Sequence, residues 1–186
     1  PEGDVFRHTK MLMDQLEFAS VTLAFGSLLH DVGKAETRST DDRGVHFYGH
    51  AQKSAEIAEA IMRRLKFSTA DSESVLALIR QHMIFMTVKD MRPHRLKRFL
   101  RMPEFDLHLE LHRLDCLGSH RKLGHYNFCR KALRELPPEV IRPAPLLTGD
   151  DLIRRADEAL YQAKRLGRNR VCCAADRKSV TIGVLM

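Results

Sequence analysis

The chain has 186 residues, enough for one substantial hydrophobic core and at most a small appendage. Hydrophobic residues make up 44% of it, but no apolar run approaches the length that spans a bilayer, and no charged-then-apolar leader opens it. We therefore expect a cytoplasmic protein with no membrane-spanning segment. The net charge of +7 suits a polyanionic partner such as RNA, and suits a merely basic, soluble surface equally well.

The predicted elements of the first 150 residues are helices. Apolar side chains at helical spacing predict helices over about 5–16, 19–30, 50–65, 69–82, 93–101, 105–119 and 126–136. Residues 35–47 are polar, have a turn at 41–44 and predict a mobile loop. Because no strand is needed in this part, the predicted fold class is all-α.

The sequence changes character near Ile153. Residues 154–166 predict a short helix, and two short apolar runs after it are compatible with a small β-hairpin. We therefore predict two parts, a helical domain over 1–153 and a separate tail over 154–186.

A histidine and an aspartate stand side by side at His30 and Asp31, where an apolar segment ends. Gly33 is expected to let the backbone turn sharply, and Lys34 places a positive charge beside the pair. Both side chains of the pair could reach one cation at the end of a buried helix. One such pair is weak support for a metal site in a chain with ten histidines.

Further residues of the same types follow a recognisable order along the chain. His8 lies on the first predicted helix, His50 begins a later one and His82 ends the next. Asp115 lies inside a leucine-rich helix, where a carboxylate is costly unless it is bound to metal or paired, for example with Arg113. The order His, His-Asp, His, His, Asp resembles the HD superfamily of metal-dependent phosphohydrolases.

Hydrolysis of a phosphoester at neutral pH needs a metal ion to generate hydroxide and positive charge near the phosphoryl oxygens. Imidazole and carboxylate ligands together suit Mn, Fe, Ni, Zn or Mg. The expected metal ligands are His8, His30, Asp31 and Asp115. We expect His50 and His82 to hold a second metal ion or to contact the phosphate. Asp31 is a candidate to orient the attacking water or to bridge two metals, and Lys34, or less strongly Arg38, would stabilise the phosphoryl charge.

Two other groups of polar residues need separate interpretations. The remaining histidines of the 105–125 region are expected to face solvent or to be polar neighbours, namely His108, His112, His120 and His125. The basic segment 89–101 predicts either a track for a phosphate backbone or a solvated helix face. Its candidate RNA-binding residues are Arg92, Arg95, Lys97, Arg98 and Arg101.

Whole phrases of the sequence resemble the HD domain of bacterial tRNA nucleotidyltransferases, the CCA-adding enzymes. They are PEGDVFRHT at 1–9, LHDVGK at 29–34, FYGHA at 47–51, LHRLDCL at 111–117 and PLLTGDDLI at 145–153. The resemblance implies an HD-domain helical bundle over 1–153. Family members with an intact HD set are associated with 2′,3′-cyclic phosphodiesterase, 2′-nucleotidase and phosphatase activities. The family's nucleotidyltransferase head is not found in this sequence, so we do not expect the chain to add CCA by itself.

Residues 154–171 resemble the closing helix and strand of a GGDEF diguanylate cyclase domain, but no GGDEF loop occurs, so we do not expect cyclase activity. The leading hypothesis is an HD-type phosphohydrolase that acts on phosphoesters of nucleotides or RNA ends. The alternative is a non-catalytic body that positions tRNA. A third interpretation is a remnant of an HD/GGDEF cyclic-dinucleotide signalling protein, although Gly-Tyr-Pro does not follow His82. The metal, the natural substrate and the oligomeric state are not predicted.

Overall fold

The computed structural model describes residues 4–137 and 149–165. Contacts divide the chain into two units, residues 1–142 and 143–186. The helices of the first unit are α1 Val5–Met13, α2 Val21–Leu29, α3 Lys34–Thr37, α4 His50–Arg64, α5 Thr69–Gln81, a 3-10 helix His82–Asp90, α6 Pro93–Leu100, α7 Phe105–Gly118 and α8 Gly124–Glu135. The predicted all-α class is confirmed.

Local signals in the sequence explain where several helices begin. The hydroxyl of Ser20 accepts the backbone N–H of Leu23, and that of Ser68 accepts the N–H of Asp71, so both serines satisfy amides that the first turn leaves without a partner. Pro93 occupies the first turn of α6, where its missing N–H costs nothing. The predicted helices are therefore present, with ends that differ by a few residues; α1, for example, ends at Met13.

Residues 35–47 do not form a loop throughout. The short helix α3 is followed by two strands, β1 Ser39–Asp41 and β2 Gly44–His46, which pair antiparallel with Asp41 opposite Gly44. Asp41 Oδ1 accepts the N–H of Arg43, and Gly44 has a φ of +120°, which favours glycine. The prediction of a loop without strands is wrong, because β1 is exposed and each strand has only three residues, too few for an apolar alternation to reveal them.

Three groups of apolar side chains form the core of the first unit. One packs α2 against α4 and α5, a second joins α1, α2, α5 and α7, and a third lies around the 3-10 helix, α6, α7 and α8. Helix α2 belongs to two of these groups and packs closely on α5, where a Cβ at Gly26 would lie 3.1 Å from Leu78 Cδ1. The central position of α2 fixes where its end, and hence His30, lies.

The described part of the second unit is one helix, α9 Gly149–Arg165, with no buried residue. This helix corresponds to the one predicted over 154–166, but it begins earlier and includes position 153. The domain boundary predicted at that position stays a prediction. The predicted tail hairpin lies outside the described residues. Within residues 4–137 and 149–165, no helix combines the length and the apolar character that crossing a membrane requires.

Candidate metal centre

Three histidines of the first unit each make the same type of contact with the backbone. The Nδ1 atoms of His30, His50 and His82 lie 2.9, 2.8 and 2.7 Å from backbone carbonyl oxygens three residues earlier. The acceptors are the carbonyls of Ser27, Phe47 and Ile79. Because a carbonyl only accepts, each Nδ1 donates its hydrogen, and a neutral ring then presents the Nε2 lone pair to the site. Histidines that bind metals are oriented in this way.

Five segments bring the predicted ligands together. His8 lies four residues before the fully buried Leu12 on α1, so both side chains share the inner face of that helix. The other segments are the end of α2, the start of α4, the start of the 3-10 helix and the last turn of α7. They carry His30 and Asp31, His50, His82 and Asp115 respectively.

The first group of donor atoms comes from His8, His30 and Asp115, whose ligand atoms lie within 4.8 Å of one another. His8 Nε2 is 3.1 Å from Asp115 Oδ1 and 3.8 Å from Asp31 Oδ2. The Nε2 atoms of His8 and His30 are buried and have no well-aligned hydrogen bond in the described part of the chain. Such atoms are costly unless a further group binds them.

The second group comes from Asp31, His50 and His82, again within 4.8 Å. The two imidazole Nε2 atoms are only 3.1 Å apart. Since both rings donate through Nδ1, their lone pairs face each other when the rings are neutral, and a cation or a proton between them is needed to make this approach favourable. The pair is therefore suited to share a cation.

Asp31 lies between the two groups. Its Oδ2 is 3.4 Å from His30 Nε2 and 2.8 Å from Lys34 Nζ. Its Oδ1 is 3.4 Å from His50 Nε2 and 3.8 Å from His82 Nε2. One carboxylate thus directs one oxygen to each group, which is the arrangement required to bridge two metal ions.

The charges around Asp31 shift several pKa values. Burial raises the pKa of Asp31, but the neighbouring His30 and Lys34 outweigh burial and hold this pKa well below its usual range. Burial lowers the pKa of His30, and Asp31 and Asp115 raise it by more, so the net pKa is raised. Burial, followed by the charge of His30, lowers the pKa of His82 to about 4. In the metal-free protein, Lys34 and the raised pKa of His30 therefore favour positive charge on one side of Asp31, whereas the lowered pKa of His82 favours a neutral imidazole on the other.

These residues fit a divalent metal ion. The donor set consists of imidazole nitrogens and carboxylate oxygens, without thiolate, and suits Mn, Fe, Ni, Zn or Mg. The buried Nε2 atoms of His8 and His30 and the facing lone pairs of His50 and His82 are the features that a cation would satisfy.

Gly33 has a different role from the one the sequence suggested. The chain turns at residues 30–33 as predicted, but the φ of Gly33 is −71°, an ordinary right-handed value, so the turn does not require the conformational freedom of glycine. A Cβ at this position would lie 2.5 Å from Ser54 N and 2.7 Å from His50 O, and the Gly33 N–H donates to Ser54 Oγ at 2.9 Å. Glycine is needed here because α4 approaches the backbone closely, and this approach brings His50 to Asp31.

A cavity of about 480 Å³ opens beside the first donor group. His8, Asp31 and Lys34 line it together with Arg7, Phe47 and His120. Its volume is in the range of small-molecule sites. None of these last three residues is predicted to be functional from the sequence, although Arg7 stands beside His8 and His120 follows Asp115 by five residues. Lys34 Nζ lies 5.6 Å from the centre of the Phe47 ring, so this aromatic side chain helps to hold the ammonium at the cavity.

The remaining predicted residues lie elsewhere. Arg38 is exposed after α3 and is not among the residues that line the cavity, so of the two residues predicted to stabilise the phosphoryl charge only Lys34 lies at the site. The basic segment around α6 is mostly exposed: Arg92, Arg95, Arg98 and Arg101 are exposed, and Lys97 is half-buried. Asp115 is not paired with Arg113, since that guanidinium donates to Glu110 at 2.8 and 2.6 Å.

Two histidines set aside in the sequence analysis are buried. His108 and His112 are each only 3% exposed, so the prediction that they face solvent is wrong for both. His112 stacks on Phe85 with ring centres 4.5 Å apart and planes within 5°, and Cys116 Sγ lies 3.6 Å from its Nε2. Their places on the inner face of α7, among buried leucines, were the signal for burial.

An all-α domain in which this ordered set of histidines and aspartates converges defines a class of metal-binding domain. The sequence model of that class, the HD domain family, matches residues 4–179, and this chain belongs to the family. The pattern of ligand types in the sequence is thus accompanied by the expected fold.

The chain is also similar to curated tRNA-processing proteins. It is 30% identical over 162 residues to the A-adding tRNA nucleotidyltransferase of Deinococcus radiodurans, and 31% identical over 169 residues to the CC-adding tRNA nucleotidyltransferase of Thermus thermophilus. Each alignment covers 81% of this chain and 37% of the relative. A Multifunctional CCA protein of Azoarcus sp. is 32% identical over 63% of the chain and 30% of the relative. The chain therefore spans about a third of the length of these relatives, and no solved structure matches it significantly.

Proposed function

We propose that this chain is a metal-dependent phosphohydrolase of the HD type that acts on phosphoesters of nucleotides or RNA ends. The observation that carries the proposal is the position of Asp31 between two groups of donor atoms, each within 4.8 Å. His8, His30, Asp31 and Asp115 hold one metal ion in this proposal. His50 and His82 hold a second ion with Asp31 or contact the phosphate.

A bound divalent cation supplies hydroxide near neutral pH and positive charge for the phosphoryl oxygens. The protein contributes the rest through its own side chains. Asp31 accepts a hydrogen bond from the attacking water and so orients it. Lys34 is 12% exposed at the cavity, where its ammonium is available to a phosphoryl oxygen as well as to Asp31.

The experiment measures turnover of 2′,3′-cyclic AMP with added Mn or Ni by the purified chain. We expect hydrolysis that a chelator abolishes and that the double change His30→Ala and Asp31→Ala eliminates. A matched control changes His46 and Asp41 to Ala, because this pair has the same residue types, a 2.8 Å contact and lies outside both donor groups. No hydrolysis by the folded, metal-loaded protein, or equal hydrolysis by both double variants, would refute the proposal.

A second candidate function is the positioning of tRNA without catalysis. The observation that favours it is the exposure of Arg92, Arg95, Arg98 and Arg101, which recur at every third residue along α6 and its ends. Arginine side chains on one helix can follow a phosphate backbone, and their contribution falls with salt.

A salt titration of tRNA affinity tests this second candidate. Changing Arg95 and Arg98 to Gln should make the plot of log affinity against log salt shallower by roughly 0.7–0.9 for each lost phosphate contact. The matched control changes Arg63 and Arg64 to Gln, two exposed positions at the end of α4. Affinity that survives loss of the His30-Asp31 pair and depends on α6 would favour the binding function; equal slopes in both variants would exclude it. The cyclic-dinucleotide interpretation stays a prediction without a described feature that favours it.

A further inference from the structure

Arg7 is a cation at the cavity without a partner in the described part of the chain. It is exposed on α1, directly before His8, and lines the cavity. Its neighbour on the same helix, Lys10, differs, because its Nζ lies 2.9 Å from Asp14 Oδ2. Lys34, the other basic side chain of the lining, is already 2.8 Å from Asp31. Arg7 can therefore bind an anion without giving up an ion pair.

His120 adds a hydrogen-bond donor to the same cavity. The backbone N–H of Lys122 donates to His120 Nδ1 at 3.0 Å, so the hydrogen of the neutral ring is on Nε2. The loop that carries the ring is fixed to the end of α7: Ser119 Oγ donates to the Asp115 carbonyl at 2.8 Å, and the Arg121 N–H donates to the Cys116 carbonyl at 2.7 Å. The backbone on both sides of His120 is thus fixed to the end of α7, and the ring lines the cavity.

We propose that Arg7 and His120 form an anion subsite that binds the phosphodiester next to the terminal phosphoester of an RNA end. This inference rests on the proposed function and decides between the two substrate types that it leaves open. The metal ligands and Lys34 serve the reacting phosphoryl group, and a cyclic mononucleotide carries no second phosphate for the other two residues. An RNA end does. The cavity of about 480 Å³ extends from the metal ligands to both residues.

Besides Asp31, which is paired with Lys34, the lining contains one other acidic side chain that opposes anion binding. Asp4 lies at the same cavity, but its Oδ1 accepts the Phe6 N–H at 3.0 Å as the cap of α1. The guanidinium of Arg7 can present two N–H groups to one phosphate, and such charged hydrogen bonds are the stronger kind. The subsite therefore combines one bidentate cation with one neutral donor.

The experiment compares kcat/KM for 2′,3′-cyclic AMP with kcat/KM for a trinucleotide that ends in a 2′,3′-cyclic phosphate. We expect the wild-type chain to prefer the trinucleotide. Arg7→Gln should lower the ratio of kcat/KM for the trinucleotide to kcat/KM for 2′,3′-cyclic AMP by roughly tenfold or more, which is the range of one lost charged hydrogen bond. His120→Ala should lower this ratio by less. Lys10→Gln, which removes the same charge from the same helix away from the cavity, should leave the ratio as in the wild type. An unchanged ratio in Arg7→Gln, or equal losses on both substrates, overturns the subsite.

A binding measurement separates this inference from the proposed function. If neither substrate is hydrolysed, the phosphohydrolase proposal fails, but the subsite still predicts binding of a labelled trinucleotide with a 3′-phosphate, followed by fluorescence anisotropy. Arg7→Gln should weaken that binding and make its salt dependence shallower by about 0.7 in the logarithmic slope. Equal affinity and slope in Arg7→Gln and Lys10→Gln would overturn it.

Discussion

At the scale of single residues, Asp31 determines what the site can do. A buried carboxylate is costly unless it is compensated, and here one oxygen faces Lys34 and His30 while the other faces two further imidazoles. The sequence predicts that the adjacent His-Asp pair and its distant partners belong to one site. It does not predict how the two oxygens are divided, because that depends on where five separate segments meet.

Replacing Asp31 by Asn keeps the shape and removes the charge. Lys34, only 12% exposed and 2.8 Å from the carboxylate, would lose the negative charge of Asp31. We expect the metal-free protein to lose roughly 3 kcal/mol in the free energy of unfolding, the scale of a broken buried pair. Affinity for Mn should also fall. Urea unfolding in the presence of a chelator, together with a Mn titration, measures both effects.

Asp14→Asn is the matched control for that change. Asp14 also pairs with a lysine at 2.9 Å, but its side chain is 62% exposed. Exposed pairs contribute about 0–1 kcal/mol, so this variant should unfold almost as the wild type does. If both variants lose equally little stability, Asp31 and Lys34 do not form a buried ion pair in solution.

At the scale of elements, the sequence predicts those helices that are determined by apolar periodicity and by capping residues. The helices α2, α4, α5 and α7 follow from apolar spacing and from residues such as Ser20 and Ser68. The hairpin is missed because each strand is only three residues long and one of them is exposed throughout. The role of Gly33 is missed for another reason: its sequence neighbours do not reveal that α4, which begins at His50, packs against it.

Gly33→Ala should therefore disturb the site through the backbone of α4. The new Cβ would meet Ser54 N at 2.5 Å and His50 O at 2.7 Å, and backbone atoms cannot rotate away. We expect a loss of about 2 kcal/mol in the free energy of unfolding, typical of overpacking, with weaker Mn binding as His50 moves from Asp31. In Gly124→Ala the Cβ meets only the flexible end of Lys89 at 3.3 Å, so that variant should keep wild-type stability or exceed it. A Gly33→Ala protein with unchanged metal affinity would contradict the proposed coupling.

At the scale of the whole molecule, the fold gives histidines different roles, because some converge at the donor groups and others are buried in the core. The order of ligand types along the chain predicts which histidines converge, and the described unit brings all of them together. That order does not predict His108 and His112, because their burial depends on α7 being covered on several sides. Burial lowers the pKa of each to about 4. These two side chains couple the stability of the fold to pH.

Acidification from pH 6.5 towards 4 should destabilise the metal-free protein. In this window the unfolded chain binds protons at histidines that the folded chain keeps neutral, so the free energy of unfolding falls as pH falls. His108 contributes to this, since burial lowers its pKa to about 4 and its Nδ1 has no hydrogen bond in the described part of the chain. His30 has a raised pKa, so its contribution is complete below pH 6.5 and is lost only as pH rises above that value. His82 is unchanged in the variant His108→Leu, so its contribution cancels when the pH dependence of that variant is compared with that of the wild type.

His108→Leu tests this coupling, because leucine has a similar volume and no titrating group. The measurement is urea unfolding with a chelator at several pH values between 6.5 and 4.5. The slope of the free energy of unfolding against pH should be smaller than in the wild type by about 1 kcal/mol per pH unit. One proton contributes at most about 1.36 kcal/mol per pH unit. Stability at pH 7 should not decrease, since the change also removes a buried nitrogen without a partner. His94→Gln, at an exposed position on α6, should keep the wild-type slope. If His108→Leu retains the full slope, His108 binds its proton as readily in the folded chain as in the unfolded one, and the acid sensitivity arises elsewhere.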